Sequence, residues 1–203
     1  MVSELFVGLT ITLSSQSAST DEMMHTVHIQ LGEAEPIAAR VRIVAADAKE
    51  HAPDGAALRK TKSGESYFYA DGSFEITLPE GRAEVFVSGG IECLPQTIPL
   101  DVTDNSRLTV RPRPWIDMAS RGWYCGDSHV HLHTGGPIEV TTADALVAAR
   151  AEGMNYVNLC VSNNTGDDIR DANLITGKPH SDSTEKHPLH RRITLDFRNR
   201  PLD

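Results

Sequence analysis

Apolar residues recur at every second position through much of the first half of the chain. Phe74, Ile76 and Leu78 alternate with Glu75 and Thr77, and a period of two sets such residues on one face of a strand. Ala83, Val85 and Val87 repeat the pattern, as do Ile98, Leu100 and Val102, then Leu108 and Val110. Upstream, Val41 and Ile43 interleave with Arg40 and Arg42, and residues 66–70 (SYFYA) are aromatic and strand-prone. Turn formers separate these runs. Asp71-Gly72 predicts a hairpin, because glycine accepts the positive φ of a tight turn, and Pro79-Glu-Gly81 predicts the next turn. Short strands at this spacing predict an antiparallel β-sandwich-like domain over residues 25–114, with Phe74, Ile76, Leu78, Val85 and Val87 inside. Arg111-Pro-Arg-Pro114 ends it, since proline fixes φ and cannot donate to a sheet ladder.

The period then changes. Thr141 or Thr142 can cap a helix, and Asp144 stands three residues after Thr141 as in a capping box. Residues 143–152 (ADALVAARAE) are strong helix formers, and Gly153 suits the left-handed position that follows a helix. Residues 155–161 (NYVNLCV) predict a buried strand. Residues 126–161 therefore read as strand, loop, helix, strand, the opening βαβ unit of an α/β fold. After Ser162 the chain is polar and reads as irregular, resembling a long active-site loop.

Composition narrows the function classes. A net charge of −9 argues against a nucleic-acid partner, which wants a basic stripe. No apolar run approaches the roughly 20 residues of a membrane span. Residues 1–24 read as a flexible leader; residues 5–13 (LFVGLTITL) look like a signal-peptide core, but no Lys or Arg precedes them, which favours a cytoplasmic location. Cys93, Cys125 and Cys160 are few, odd in number and widely spaced. They fit free cysteines better than a disulfide framework or a thiolate zinc site.

The chemistry concentrates in Gly126-Asp-Ser-His-Val-His-Leu-His133. In an extended chain, His129 and His131 present two imidazoles to one point. Neutral imidazole suits Zn²⁺, Mn²⁺ or Fe²⁺. Asp127 falls on the same face, as a ligand or as a group that orients a histidine. His133 continues the spacing, with Gly135-Gly136 marking the strand's end. His180, His187 and His190 read as solvent-facing loop residues. Asp167, Asp168 and Asp171 read as a solvated acidic turn, and Asn163-Asn-Thr165 is a sequon of the kind that arises often by chance.

Gly122-Trp-Tyr-Cys-Gly-Asp-Ser-His-Val-His131 resembles the first motif of the polymerase and histidinol phosphatase (PHP) superfamily, most closely its CehA/McbA metallohydrolase branch. Members of that branch often carry a small β domain ahead of this entry. The resemblance implies a distorted (β/α)₇ barrel with divalent metal at the C-terminal ends of its strands. It further implies hydrolysis of ester, carbamate or phosphoester bonds in a small-molecule substrate. Residues 115–203 would form that domain. His129 and His131 match the first-motif ligands. At Val161-Ser-Asn-Asn164, Ser162 and Asn163 replace the usual Asp and His. Asp196-Phe-Arg-Asn199 matches a motif that carries a Glu ligand, so Asp196 is a candidate ligand one methylene short. Residues 122–203 are fewer than the roughly 200 or more of a βα barrel, which implies an incomplete barrel, weakly active or inactive alone. A rival reading is a non-catalytic β-sandwich binding or structural module with a vestigial metal-binding tail. The two are separated by whether further ligand motifs follow downstream in the gene.

Overall fold

The structure, a computed structural model, describes residues 22–132 and 140–160, together with the backbone of strands at 162–163, 169–170, 184–186 and 191–198. Residues 1–21 of the leader, His133, Gly135-Gly136, the acidic turn, the sequon's last two residues and the three loop histidines lie outside the described residues, whereas Met24, the leader's last residue, already opens the first strand.

The alternating apolar pattern yields strands where it is strongest. β1 (Met24–Leu31), β2 (Ala38–Val44), β5 (Ser66–Asp71), β6 (Ser73–Pro79), β7 (Gly81–Ser88), β8 (Gln96–Val102) and β9 (Arg107–Val110) carry the N-terminal region, with two short strands, β3 (Glu50–His51) and β4 (Arg59–Lys60), between β2 and β5. They make two sheets. One runs β6-β1-β9 and the other β4-β5-β2-β7-β8, with β3 paired to β2. Val27, Ile29 and Leu31 of β1 and Leu78 of β6 share a single core with Val41, Ile43, Val85 and Val102 of the other sheet. Burying one such side chain stabilises by roughly 1.5–3 kcal/mol. Ile76, Leu78, Val85 and Val87 are buried as the alternation predicts. Phe74 is half-buried and meets Phe68 edge-on at 5.4 Å.

Two expectations change. Asp71-Gly72 is a corner between sheets and not a hairpin: β5 pairs with β2, whereas β6 pairs with β1. Gly72, at φ +78, donates its N–H to Ile37 O, just ahead of β2, and accepts from Leu31 N–H of β1. A two-residue turn signal reports a reversal of direction, and core packing decides which sheet the chain rejoins. The sandwich is also not purely antiparallel, because β9 runs parallel to β1.

Beyond a 3₁₀ turn at Ala119–Arg121, β10 (Gly126–His131) and β11 (Tyr156–Cys160) are parallel neighbours joined through α1 (Thr142–Ala151). The N-cap is Thr141 in a complete capping box. Asp144 N–H donates to Thr141 Oγ1 at 3.1 Å, and Thr141 N–H donates to Asp144 Oδ2 at 2.8 Å. Gly153 takes φ +74. Ala145 and Ala149 of α1 pack on Val157 and Leu159 of β11 and on Leu132.

The tail is more regular than its composition predicts. β12 (Ser162–Asn163) pairs with β13 (Ile169–Arg170), and β14 (Thr184–Lys186) pairs with β15 (Arg191–Arg198). β15 joins the sheet parallel to β11, giving the order β10-β11-β15-β14. Its sequence carries the signal, since Ile193, Leu195 and Phe197 alternate with Thr194 and Asp196.

The helix also docks on the sandwich. Arg150 at its last turn grips Asp71 with both terminal guanidinium nitrogens, Nη1 and Nη2, at 2.5 and 3.1 Å. Tyr69 hydroxyl donates to Glu152 Oε1 at 2.8 Å, and Arg40 Nη1 lies 3.5 Å from the same oxygen. Burial, reinforced by the Glu152 carboxylate, pushes the Tyr69 hydroxyl far above its usual range, so it stays a donor at any working pH.

Candidate metal centre and its cavity

Gly126 opens β10 because no side chain fits there. A Cβ would meet Tyr156 O at 2.8 Å and Tyr156 Cβ at 2.9 Å, so only glycine lets β10 lie this close to β11. The ladder then slips: Asp127 stands opposite Val157, yet Val130 stands opposite Leu159, leaving one extra residue in β10. Such a bulge re-aims side chains beside sites. Two groups hold it. Asp127 Oδ1 accepts the His129 N–H at 2.9 Å, a short-range turn favoured by aspartate. Asn158 Nδ2 reaches from β11 to donate to Ser128 O at 2.9 Å. Simple period-two alternation therefore does not run through Ser128.

At the C-terminal end of β10, the imidazoles of His129, inside the bulge, and His131, just past it, converge. His129 Nε2 and His131 Nε2 are 3.1 Å apart, and the rings meet edge-on with centroids 4.9 Å apart. His131 Nδ1 faces Cys160 O at 3.1 Å. A carbonyl only accepts, so Nδ1 carries the proton and Nε2 keeps its lone pair. This is the arrangement of a metal-ligating histidine, held in ring orientation by a backbone carbonyl. Two nitrogens 3.1 Å apart also suit ligands of one divalent ion with bonds of roughly 2.0–2.1 Å. The donor set thus fits such an ion as far as two ligands go. Among the described residues, no group of three or more His, Cys, Asp or Glu side chains is placed to hold a metal.

Asp196 sits in β15 at the register position of Asn158, one strand beyond β11. Asn163 lies in β12. Their backbones are described and His133 is outside the described residues, so the sheet order separates Asp196 from β10 by one strand. Cys93, Cys125 and Cys160 form no disulfide and are half-buried.

Asn158 is the residue that sequence reasoning passes over. It is buried, ties β11 to the bulge and leaves its Oδ1 without a hydrogen-bond partner. The signal was a lone polar residue amid the apolar run Tyr156–Cys160. Beside Asp127 and His131 opens a cavity of about 420 Å³, whose far wall comes from the sandwich through Arg59, Tyr67 and Tyr69.

No family model matches the chain, and no curated protein matches it. Among solved structures, a crystal structure of amylomaltase from Corynebacterium glutamicum is similar at 14% identity and a TM-score of 0.16, over 78% of this chain and 22% of that one. The chain spans about a fifth of that protein's length, and a likeness of this size carries no argument. No described helix is long and apolar enough to cross a membrane.

Proposed function

We propose that the chain belongs to a divalent-metal-dependent hydrolase related to the CehA/McbA branch of the PHP superfamily, with His129 and His131 as ligands. The observation that carries this reading is the meeting of the two Nε2 atoms at 3.1 Å, with His131 Nδ1 committed to Cys160 O. When bound, Zn²⁺, Mn²⁺ or Fe²⁺ supplies Lewis acidity for ester, carbamate or phosphoester hydrolysis. The chain's own groups do the positioning. Cys160 O fixes the His131 ring. Asp127 fixes the backbone of His129, and Asn158 ties down the bulge in which His129 stands. Asp196 is a further candidate ligand, from the parallel strand beyond β11.

Elemental analysis tests the assignment. The parent chain, loaded with Zn²⁺ or Mn²⁺ and dialysed, is expected to retain metal that a His129→Ala, His131→Ala double variant loses. Equal metal in both proteins would overturn the ligand assignment. Turnover of 4-nitrophenyl acetate, an aryl carbamate and 4-nitrophenyl phosphate then ranks the substrate bond.

A further inference from the structure

We infer that the cavity between the sandwich and α1 binds a small molecule bearing an oxyanion, a carboxylate or phosphate on an aromatic body, with Arg59 as its anchor. Its volume, about 420 Å³, lies within the roughly 300–1,000 Å³ usual for small-molecule sites. Two regions far apart in sequence wall it. β4 and β5 bring Arg59, Tyr67 and Tyr69, while β10 brings Asp127 and His131 and the C-cap of α1 brings Glu152.

Most polar groups on this wall already have partners. Tyr69 hydroxyl is committed to Glu152, whose carboxylate also faces Arg40, and Asp127 Oδ1 holds the His129 N–H. Arg59 differs. Its guanidinium lies over the Tyr69 ring at 5.7 Å from the centroid, its Nε is buried, and that nitrogen has no hydrogen-bond partner. Among the described residues, no carboxylate pairs with Arg59. Arginine stays charged at any working pH and offers a planar fork of donors that matches a carboxylate or phosphate. Tyr67 and Tyr69 stand edge-to-face at 5.6 Å beside it, an aromatic surface suited to a flat body. The sandwich thereby supplies recognition to a site whose histidines stand on another sheet.

The name substrate for this ligand rests on the hydrolase reading; the binding site itself rests on the cavity. Isothermal titration of the metal-free full chain with benzoate, phenyl phosphate and neutral benzamide tests it. Benzoate or phenyl phosphate is expected to bind the parent at least tenfold more tightly than benzamide. Arg59→Gln is expected to lose at least tenfold of the anion affinity, with Arg59→Lys between the two. Circular dichroism establishes that each variant is folded. No anion binding to the parent, or equal binding by a folded Arg59→Gln chain, overturns the proposal. Binding that depends on Arg59 in a chain that retains no metal at its histidines upholds this site and removes the hydrolase reading. Turnover that depends on His129, with anion affinity indifferent to Arg59, does the reverse.

Discussion

Gly90→Ala tests how tightly the two regions are joined. Gly90 follows β7 at φ +89 and lies against the end of α1. A Cβ built there stands 2.5 Å from the Glu152 carbonyl carbon and 2.5 Å from Gly153 N. Favourable contacts between carbons lie near 3.5–4.0 Å, so the loop and the helix end must part by about 1 Å. Both opposing atoms are backbone and cannot swing away. That movement strains the Tyr69–Glu152 bond, now 2.8 Å. Gly64→Ala is the control, because Gly64 has φ +93 and nothing within 4 Å of a built Cβ. It carries only the left-handed backbone penalty, about 1–2 kcal/mol. Gly90→Ala adds an overpacking penalty of about 1–3 kcal/mol, about 2–5 kcal/mol altogether. Urea unfolding followed by far-UV circular dichroism measures both. At a slope of about 2 kcal/mol/M, the Gly90→Ala midpoint falls by about 1–2.5 M. If the two variants agree within about 0.5 kcal/mol, the packing of this loop on the helix does not contribute as described.

Thr141→Ala removes the hydroxyl that accepts the Asp144 N–H, leaving only the backbone half of the capping box, and is expected to cost about 1 kcal/mol, read as a lower urea midpoint; Thr142→Ala, just inside the helix, is expected to cost less. Glu50 accepts from Arg42 Nε at 2.8 Å and from the Ser66 N–H at 2.8 Å, and these partners, Arg42 foremost, hold its carboxyl below the usual carboxylate range. The folded pKa is thus below the unfolded one, so the stabilisation is present above the unfolded value and is lost as pH falls through the folded value. Glu50→Gln is therefore expected to lower stability at pH 7, with the gap to the parent closing in acid; a gap that is constant from pH 7 to pH 2 contradicts the assignment.

Much of the architecture was legible in the chain because short-range physics writes it there. Period-two alternation places β2, β6, β7, β8 and β9, and Thr141 with Asp144 marks the start of α1, since a capping box closes within four residues. The same alternation stood in Ile193, Leu195 and Phe197, where the polar surroundings masked it. The spacing of His129 and His131 was likewise visible, because two residues apart on a strand end is a local matter. The aim of those two rings, by contrast, depends on partners distant in sequence. Only the approach of β11 makes Gly126 necessary and supplies Cys160 O, and Asn158 of that strand ties down the bulge in which His129 stands. Asp71-Gly72 encodes a reversal, whereas the shared core sends the next strand into the other sheet. Arg59, Tyr67 and Tyr69 carry no motif. They face His131 across one cavity because Arg150 and Glu152 fasten the helix to Asp71 and Tyr69, and those contacts exist only once the sandwich has formed.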